Sequence, residues 1–100
     1  MSQERRESER QPFLDEIMLE FSSGKREARV SDISMGGCYV DSIAGVTEGE
    51  PVSFDMSTGD GTSLAFTGEV AYVFPGMGFG IKFTNITEEQ RLFLEGVTSR

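Results

Sequence analysis

The chain of 100 residues contains no histidine and has a single cysteine, Cys38. Without histidine there is no Ser-His-Asp or Cys-His catalysis, no imidazole ligand for zinc or haem, and no histidine pH switch. A single cysteine excludes an intramolecular disulfide and a cysteine-rich zinc site, so Cys38 is interpreted as a small buried hydrophobe. Because no nucleophile has a base to activate it, we expect neither an enzyme nor a metal or cofactor site.

Long apolar runs are also missing from the sequence. No segment approaches the roughly 20 apolar residues that a membrane-spanning helix requires. The first ten residues, Met-Ser-Gln-Glu-Arg-Arg-Glu-Ser-Glu-Arg, lack the apolar stretch of a signal peptide. We therefore expect a cytoplasmic protein without membrane insertion, and the chain length predicts one compact domain.

Positive charge is absent from the middle of the chain. Nine Lys and Arg residues stand against 17 Asp and Glu, a formal net charge of −8, and residues 30–81 contain seven acidic residues but no Lys or Arg. Such a protein repels nucleic acids and anionic membranes, so neither DNA nor RNA is an expected partner. Six of the nine cations lie in the first 29 residues, so a bound anion would be met largely by N-terminal arginines.

Two regions of different composition follow one another along the chain. Apart from Met1, residues 1–11 have no large apolar side chain and are predicted to form a flexible, arginine-bearing arm, whereas residues 12–100 are predicted to form the folded domain. The run Phe13–Phe21 fits both a strand and a short helix. We favour the strand, because the turn sequence Ser22-Ser23-Gly24 follows it and a second apolar run comes next.

Further short apolar runs recur about every 10–15 residues, separated by glycine-rich turns. They are Glu27–Ile33, Cys38–Val40, Val52–Met56, Leu64–Phe74 and Met77–Phe83. This arrangement is typical of an antiparallel barrel or sandwich, and we predict an all-β barrel of six to seven strands. Gly68, inside the longest run, predicts a bulge or a sharp bend.

The end of the chain is predicted to be helical. Thr87 followed three residues later by Gln90 matches a capping box. Leu92, Phe93 and Val97 are expected to face the barrel, and Gly96 is the predicted stop.

Two glycine-containing segments imitate ligand loops without meeting their requirements. Asp55–Gly61 has its glycine at the seventh position instead of the sixth, and Phe66 stands where a calcium loop needs a bidentate glutamate. Gly76–Gly80 has the spacing G-x-G-x-G, and no helix follows it, so a nucleotide-binding fingerprint is excluded. We interpret the first segment as a hairpin turn and the second as part of a tight barrel strand.

The most informative N-terminal feature is a group of three arginines. Arg6 and Arg10 form the pattern R-x-x-x-R, and Arg5 directly precedes it. Guanidinium groups bind phosphate with two parallel hydrogen bonds, stack on purine faces and donate to guanine. Taken alone, this pattern is also compatible with a solvated tail.

A second pattern, D-x-S-x-x-G, spans Asp32, Ser34 and Gly37 in the segment Asp32-Ile33-Ser34-Met35-Gly36-Gly37. The Asp32 carboxylate can accept hydrogen bonds from the donor edge of guanine, and Ser34 offers a short hydroxyl. Gly37 would allow close approach of a flat ligand or a positive φ. Taken alone, the pattern is also a common turn composition. The order of the two patterns indicates a site for a guanine-containing phosphate ester.

With both motifs in this order, the sequence resembles the PilZ domain, a bacterial receptor module for cyclic di-GMP, over nearly the whole chain. The resemblance also includes three segments further along: Gly49–Val52, Gly68–Val73 and Gly78–Phe83. It implies a six-stranded antiparallel barrel with a C-terminal helix. It further implies that Arg6 and Arg10 hold phosphates and one guanine face, while Asp32, Ser34 and Gly37, with Gly36 beside them, hold the other side.

Two functions remain open at this point. The leading hypothesis is a cyclic di-GMP receptor in second-messenger signalling, whose arginine arm becomes ordered on binding and which signals to a separate effector protein. Arg5, by resemblance to the family, is expected to favour two stacked nucleotides per chain. The alternative is a ligand-independent adaptor for pilus, flagellar or secretion machinery, against which the intact arginines and Asp32 argue.

Overall fold

The computed structural model describes residues 11–99 and forms a closed six-stranded barrel followed by one helix. The strands and the helix are β1 (Gln11–Phe21), β2 (Gly24–Ile33), β3 (Gly37–Asp41), β4 (Pro51–Ser57), β5 (Ser63–Phe74), β6 (Gly78–Thr84) and α1 (Glu88–Thr98). Around the barrel the order is β1-β2-β3-β6-β5-β4, and every neighbouring pair is antiparallel. The predicted fold class is confirmed, with six strands.

Alternation of apolar and polar residues places the core inside the barrel. In β4, Val52, Phe54 and Met56 are buried while Asp55 is exposed, as a period of two requires. The first apolar run is a strand, as predicted, because the alternate residues of its second half point inward. Those residues are Ile17, Leu19 and Phe21. Cys38 is fully buried in the same core, which confirms its interpretation.

Gly68 does not mark a bulge, which was one of its two predicted roles. Its pairing is regular on both sides, with Val52 in β4 and Phe83 in β6. The register shift in β5 lies instead between Val70 and Tyr72. A Cβ atom at Gly68 would lie 2.5 Å from the carbonyl oxygen of Lys82. Glycine is therefore needed because β5 and β6 approach each other closely there.

The segment that imitates a calcium loop is the turn of the β4–β5 hairpin, as predicted. The Asp60 carboxylate accepts hydrogen bonds from both hydroxyls that flank it, of Thr58 and Thr62, each at 2.6 Å. These bonds lower the pKa of Asp60 to about 2. Its carboxylate thus stabilises the turn itself.

The capping box at the start of α1 is confirmed. The Thr87 hydroxyl accepts from the backbone N–H of Gln90 at 3.1 Å, and the Gln90 side-chain oxygen accepts from the Thr87 N–H at 2.7 Å. The predicted stop at Gly96 is wrong, because the helix continues to Thr98. Glycine lowers helix stability by only about 1 kcal/mol relative to alanine, which neighbouring contacts can offset.

The face that α1 turns to the barrel differs in part from the prediction. Leu94 and Val97 are buried and Phe93 is partly buried, but Leu92 is 55% exposed. Leu94 and Val97 are three residues apart and share one helical face, from which Leu92 is rotated away. Phe93 packs edge-on against Phe13 of β1, with ring centroids 6.2 Å apart. The helix therefore closes the end of the barrel near the start of β1.

Candidate functional site

The turn between β2 and β3 is built around Ser34. Its backbone N–H donates to the Gly37 carbonyl at 2.8 Å. Its hydroxyl accepts from the N–H groups of Gly36 and Gly37 at 3.3 and 3.2 Å, and donates to the Gly37 carbonyl at 3.2 Å. A hydroxyl has one donor and two acceptor positions, so these bonds use its whole capacity. Ser34 is also buried, and its side chain therefore shapes the turn from inside.

The two glycines of this turn have different roles. A Cβ atom at Gly37 would lie 2.0 Å from the carbonyl oxygen of Ile81, whereas a Cβ atom at Gly36 would meet open space. Gly37 does not have a positive φ, which was one of the two predicted reasons for a glycine at this position. A glycine is required there because β6 lies so close. Gly36 is exposed, and its carbonyl accepts from the Phe83 N–H at 2.9 Å. The turn is thus attached to β6.

Asp32 lies at the edge of this turn on β2, where it is half-buried. Its neighbours across the sheet are Pro12 in β1 and Tyr39 in β3. Burial raises the pKa of Tyr39, and electrostatic interactions with Asp41, Tyr72 and Asp32 raise it further, in that order of effect. Asp32 is therefore close enough to Tyr39 to act on it electrostatically.

The pairing of β1 with β2 connects the two sequence motifs. Gln11 pairs with Ile33, and Pro12 pairs with Asp32. In the sequence, Gln11 directly follows Arg10, the last residue of R-x-x-x-R. The start of the described chain thus lies beside the D-x-S-x-x-G turn. Residues 1–10 of the predicted arm, which include its site residues Arg5, Arg6 and Arg10, lie outside the described residues, so their contribution stays a prediction.

The role of Met35, the apolar residue inside this turn, was not predicted. Met35 is partly buried against the barrel core. Its sulfur lies 3.6 Å from the hydroxyl of Thr98 at the end of α1. One apolar residue between Ser34 and Gly36, in an otherwise polar and glycine-containing turn, was the available signal. The turn therefore contacts α1, which also packs against Phe13 at the start of β1.

Neither a metal site nor a membrane-spanning helix is found within residues 11–99. In that span no group of three or more His, Cys, Asp or Glu side chains could hold a metal ion. The one helix in the same span is neither long nor apolar enough to cross a lipid bilayer. The candidate site is the polar turn beside the start of β1.

A closed six-stranded barrel, a capped helix over one end and a polar turn at the edge define a small β-barrel module. The model of the PilZ domain family matches residues 4–98. The chain therefore belongs to the PilZ domain family, and the matched range spans the positions of both the arginine pattern and the D-x-S-x-x-G turn. A comparison with curated proteins gives no match.

Solved structures share this fold at low sequence identity. The PilZ domain of CeSA from a cellulose-synthesizing bacterium is 23% identical, with a TM-score of 0.69 over 92% of this chain and 97% of that one. PlzA of Borreliella burgdorferi, solved in complex with c-di-GMP, is 20% identical, with a TM-score of 0.70 over 91% and 40%. The Bacillus subtilis inhibitor of motility MotI/DgrA is 17% identical, with a TM-score of 0.73 over 97% and 51%.

Proposed function

We propose that this protein is a cyclic di-GMP receptor that signals to a separate effector protein. The observation that carries the proposal is the pairing of Pro12 with Asp32. It brings the point where the arginine pattern joins the barrel next to the turn that bears the second motif. Membership of the PilZ domain family and the fold shared with PlzA, which was solved with c-di-GMP, support the same ligand.

In this proposal the two motifs divide the chemistry of the ligand. Arg6 and Arg10 meet the phosphates and one guanine face, because a guanidinium both forms paired hydrogen bonds to phosphate and stacks on a purine. Asp32 accepts from the donor edge of a guanine, which an adenine lacks. Such recognition is binding without bond cleavage, so the proposal is a receptor and not an enzyme.

Ser34 and Gly37 act on the ligand indirectly in this proposal. Ser34 uses its hydroxyl within the turn, and Gly37 lets β3 lie against β6. Both residues thereby set the position of Asp32 and of the exposed backbone at Gly36. A direct contact of the Ser34 hydroxyl with the nucleotide would first require the loss of a hydrogen bond inside the turn.

In this proposal the signal to the effector arises when the phosphates of the ligand neutralise the arginines. Three arginines and three glutamates stand between residues 4 and 10, so a ligand with two phosphates competes with these carboxylates for the guanidinium groups. We propose that binding draws this segment onto the barrel and creates a new surface for the effector, an order–disorder switch. Arg5 adds a third guanidinium, and we propose that it holds a second stacked nucleotide.

The test compares two arginine variants by calorimetric titration with cyclic di-GMP. Arg10→Ala should weaken binding about 10–150-fold, since a charge-assisted hydrogen bond contributes roughly 1.5–3 kcal/mol. Arg26→Ala is the matched control, because Arg26 is an exposed arginine of β2 that pairs with Leu19, away from the turn. Equal affinity of wild type and Arg10→Ala would refute the assigned site. Absence of binding by the wild type would favour the ligand-independent adaptor.

A further inference from the structure

Lys82 in β6 lies directly beside the D-x-S-x-x-G turn. It pairs with Gly37, the last residue of that motif, and the following residue, Phe83, donates its N–H to the Gly36 carbonyl at 2.9 Å. Lys82 is exposed between the buried residues Ile81 and Phe83, so the alternation of a strand places its side chain on the outer face of the barrel. The turn is therefore bonded to β6 at the position that carries this lysine.

The turn separates Lys82 from the point where the arginine-bearing segment joins the barrel. In this part of the barrel the strand order is β1-β2-β3-β6. Pro12 of β1 pairs with Asp32 of β2 on one side of the turn, and Gly37 of β3 pairs with Lys82 on the other. Neighbouring strands lie about 4.8 Å apart, so β1 and β6 are separated by roughly 14 Å along the sheet. Lys82 and the end of the arginine pattern therefore stand on opposite sides of the motif.

The outer surface between Asp32 and Lys82 carries aromatic rings. Asp32 pairs with Tyr39, and Tyr39 pairs with Gly80, which lies two residues before Lys82 on the same face of β6. A Cβ atom at Gly80 would lie 2.3 Å from Cζ of Tyr72, so this ring lies on the backbone of β6. The rings of Tyr39 and Tyr72 are stacked, with centroids 6.3 Å apart. A flat ligand can therefore extend across this surface from the carboxylate to the lysine.

The charge of Lys82 is not neutralised by a close carboxylate. One of its cross-strand neighbours, Gly37, has no side chain, and the other is Glu69 of β5. Among residues 11–99, no carboxylate oxygen lies within 4.0 Å of the Lys82 ammonium nitrogen, whereas Lys25 forms an ion pair with Glu20 at 4.0 Å. A phosphate that approaches Lys82 therefore has no such ion pair to displace.

We propose that Lys82 binds a phosphate of the nucleotide, on the side of the ligand that faces away from the arginine-bearing segment. The inference rests on the proposed function and extends the site to β6. A cyclic dinucleotide has two phosphates on opposite sides of its ring, so cations on only one side of the turn reach one phosphate better than the other. A lysine ammonium binds phosphate as a point charge. The ligand thereby connects the arginine-bearing segment, the turn and β6.

The test compares charge variants of Lys82 by calorimetric titration of the full chain with cyclic di-GMP. Lys82→Ala should weaken binding at least about five-fold, and Lys82→Arg, which keeps the charge, should bind within about two-fold of the wild type. Lys82→Glu should weaken binding further, because a carboxylate repels phosphate. Lys25→Glu is the matched control for net charge, since Lys25 lies seven residues before Asp32 in β2, roughly 20 Å away. Its affinity should equal that of the wild type.

Other roles of Lys82 give different results. If Lys82 only pairs with Glu69, Lys82→Ala and Glu69→Gln should lower stability in urea alike and leave the affinity unchanged, which would overturn the inference. The receptor function would then stand, because the wild type still binds. An equal loss of affinity in Lys25→Glu and Lys82→Glu would reduce the effect to net charge and also overturn the inference. A wild type that does not bind cyclic di-GMP would refute the receptor function and the phosphate contact together.

Discussion

Gly37 and Ile81 are so close that a Cβ atom on the glycine would lie 2.0 Å from the isoleucine carbonyl oxygen. The contact joins the first residue of β3 to β6, where Gly37 pairs with Lys82. The last residue of D-x-S-x-x-G is therefore required by the barrel itself. The neighbouring Gly36, with open space around its Cβ position, is free of this requirement.

These adjacent glycines give a matched pair of substitutions. Gly37→Ala should lower the free energy of unfolding by roughly 1–3 kcal/mol or more, because β3 must move away from β6. Gly36→Ala should change it by less than about 0.5 kcal/mol. Urea denaturation followed by circular dichroism measures both values. Equal stability of the two variants would show that the strand contact does not restrict Gly37.

Ser34→Ala tests whether the turn must be rigid for binding. The substitution removes the acceptor of two backbone N–H groups in a buried position, a loss of about 1–3 kcal/mol in the free energy of unfolding. Cyclic di-GMP affinity should fall as well, because Asp32 loses its fixed support. Ser63→Ala, at an exposed position in β5, is the control. Wild-type stability combined with lost affinity would instead indicate a direct contact between the hydroxyl and the nucleotide.

Asp32 should determine the choice of base. Asp32→Ala should weaken cyclic di-GMP binding more than cyclic di-AMP binding. The Asp32 carboxylate accepts from the donor edge of guanine, and adenine lacks this edge. Arginine variants should weaken both nucleotides similarly through the shared phosphates. Competition titrations measure the two affinities, with Asp55→Ala, at an exposed position of β4, as the control. A wild type that binds both nucleotides equally would contradict the assigned role.

Arg5 should set the number of bound nucleotides. The calorimetric ratio is expected to be two cyclic di-GMP per wild-type chain and one in Arg5→Ala, because the third guanidinium is lost. Hydrogen exchange at the amides of residues 4–11 should become slower when the nucleotide is added. A wild-type ratio near one would contradict the first expectation. Exchange rates that do not respond to the nucleotide would contradict the proposed switch.

Local patterns predicted those elements whose cause is local. The alternation Val52, Phe54, Met56 predicted an inward-facing strand, and Thr87 with Gln90 predicted the start of α1. Such patterns depend on residues a few positions apart, so the sequence displays them directly.

Features that depend on distant strands were not predictable in the same way. Gly68 was predicted to mark a bulge or a sharp bend, whereas the Lys82 carbonyl of the next strand requires a glycine there. Gly78 and Gly80 were predicted to lie in a tight barrel strand, as they do, but the sequence does not show that the rings of Tyr39 and Tyr72 lie against them. In each case a residue 8 or more positions away must be known to lie within contact distance. The same holds for the candidate site. Its two motifs are visible in the sequence, but the pairing of β1 with β2 that brings them together is not.

The central claim is that this barrel is a cyclic di-GMP receptor. Calorimetric titration of cyclic di-GMP into the full wild-type chain, with cyclic di-AMP titrated in parallel, tests it most directly. We expect saturable binding of cyclic di-GMP in the micromolar range or tighter, and binding of cyclic di-AMP at least about ten-fold weaker. The absence of a binding heat at several temperatures, or equal affinity for the two nucleotides, would contradict it.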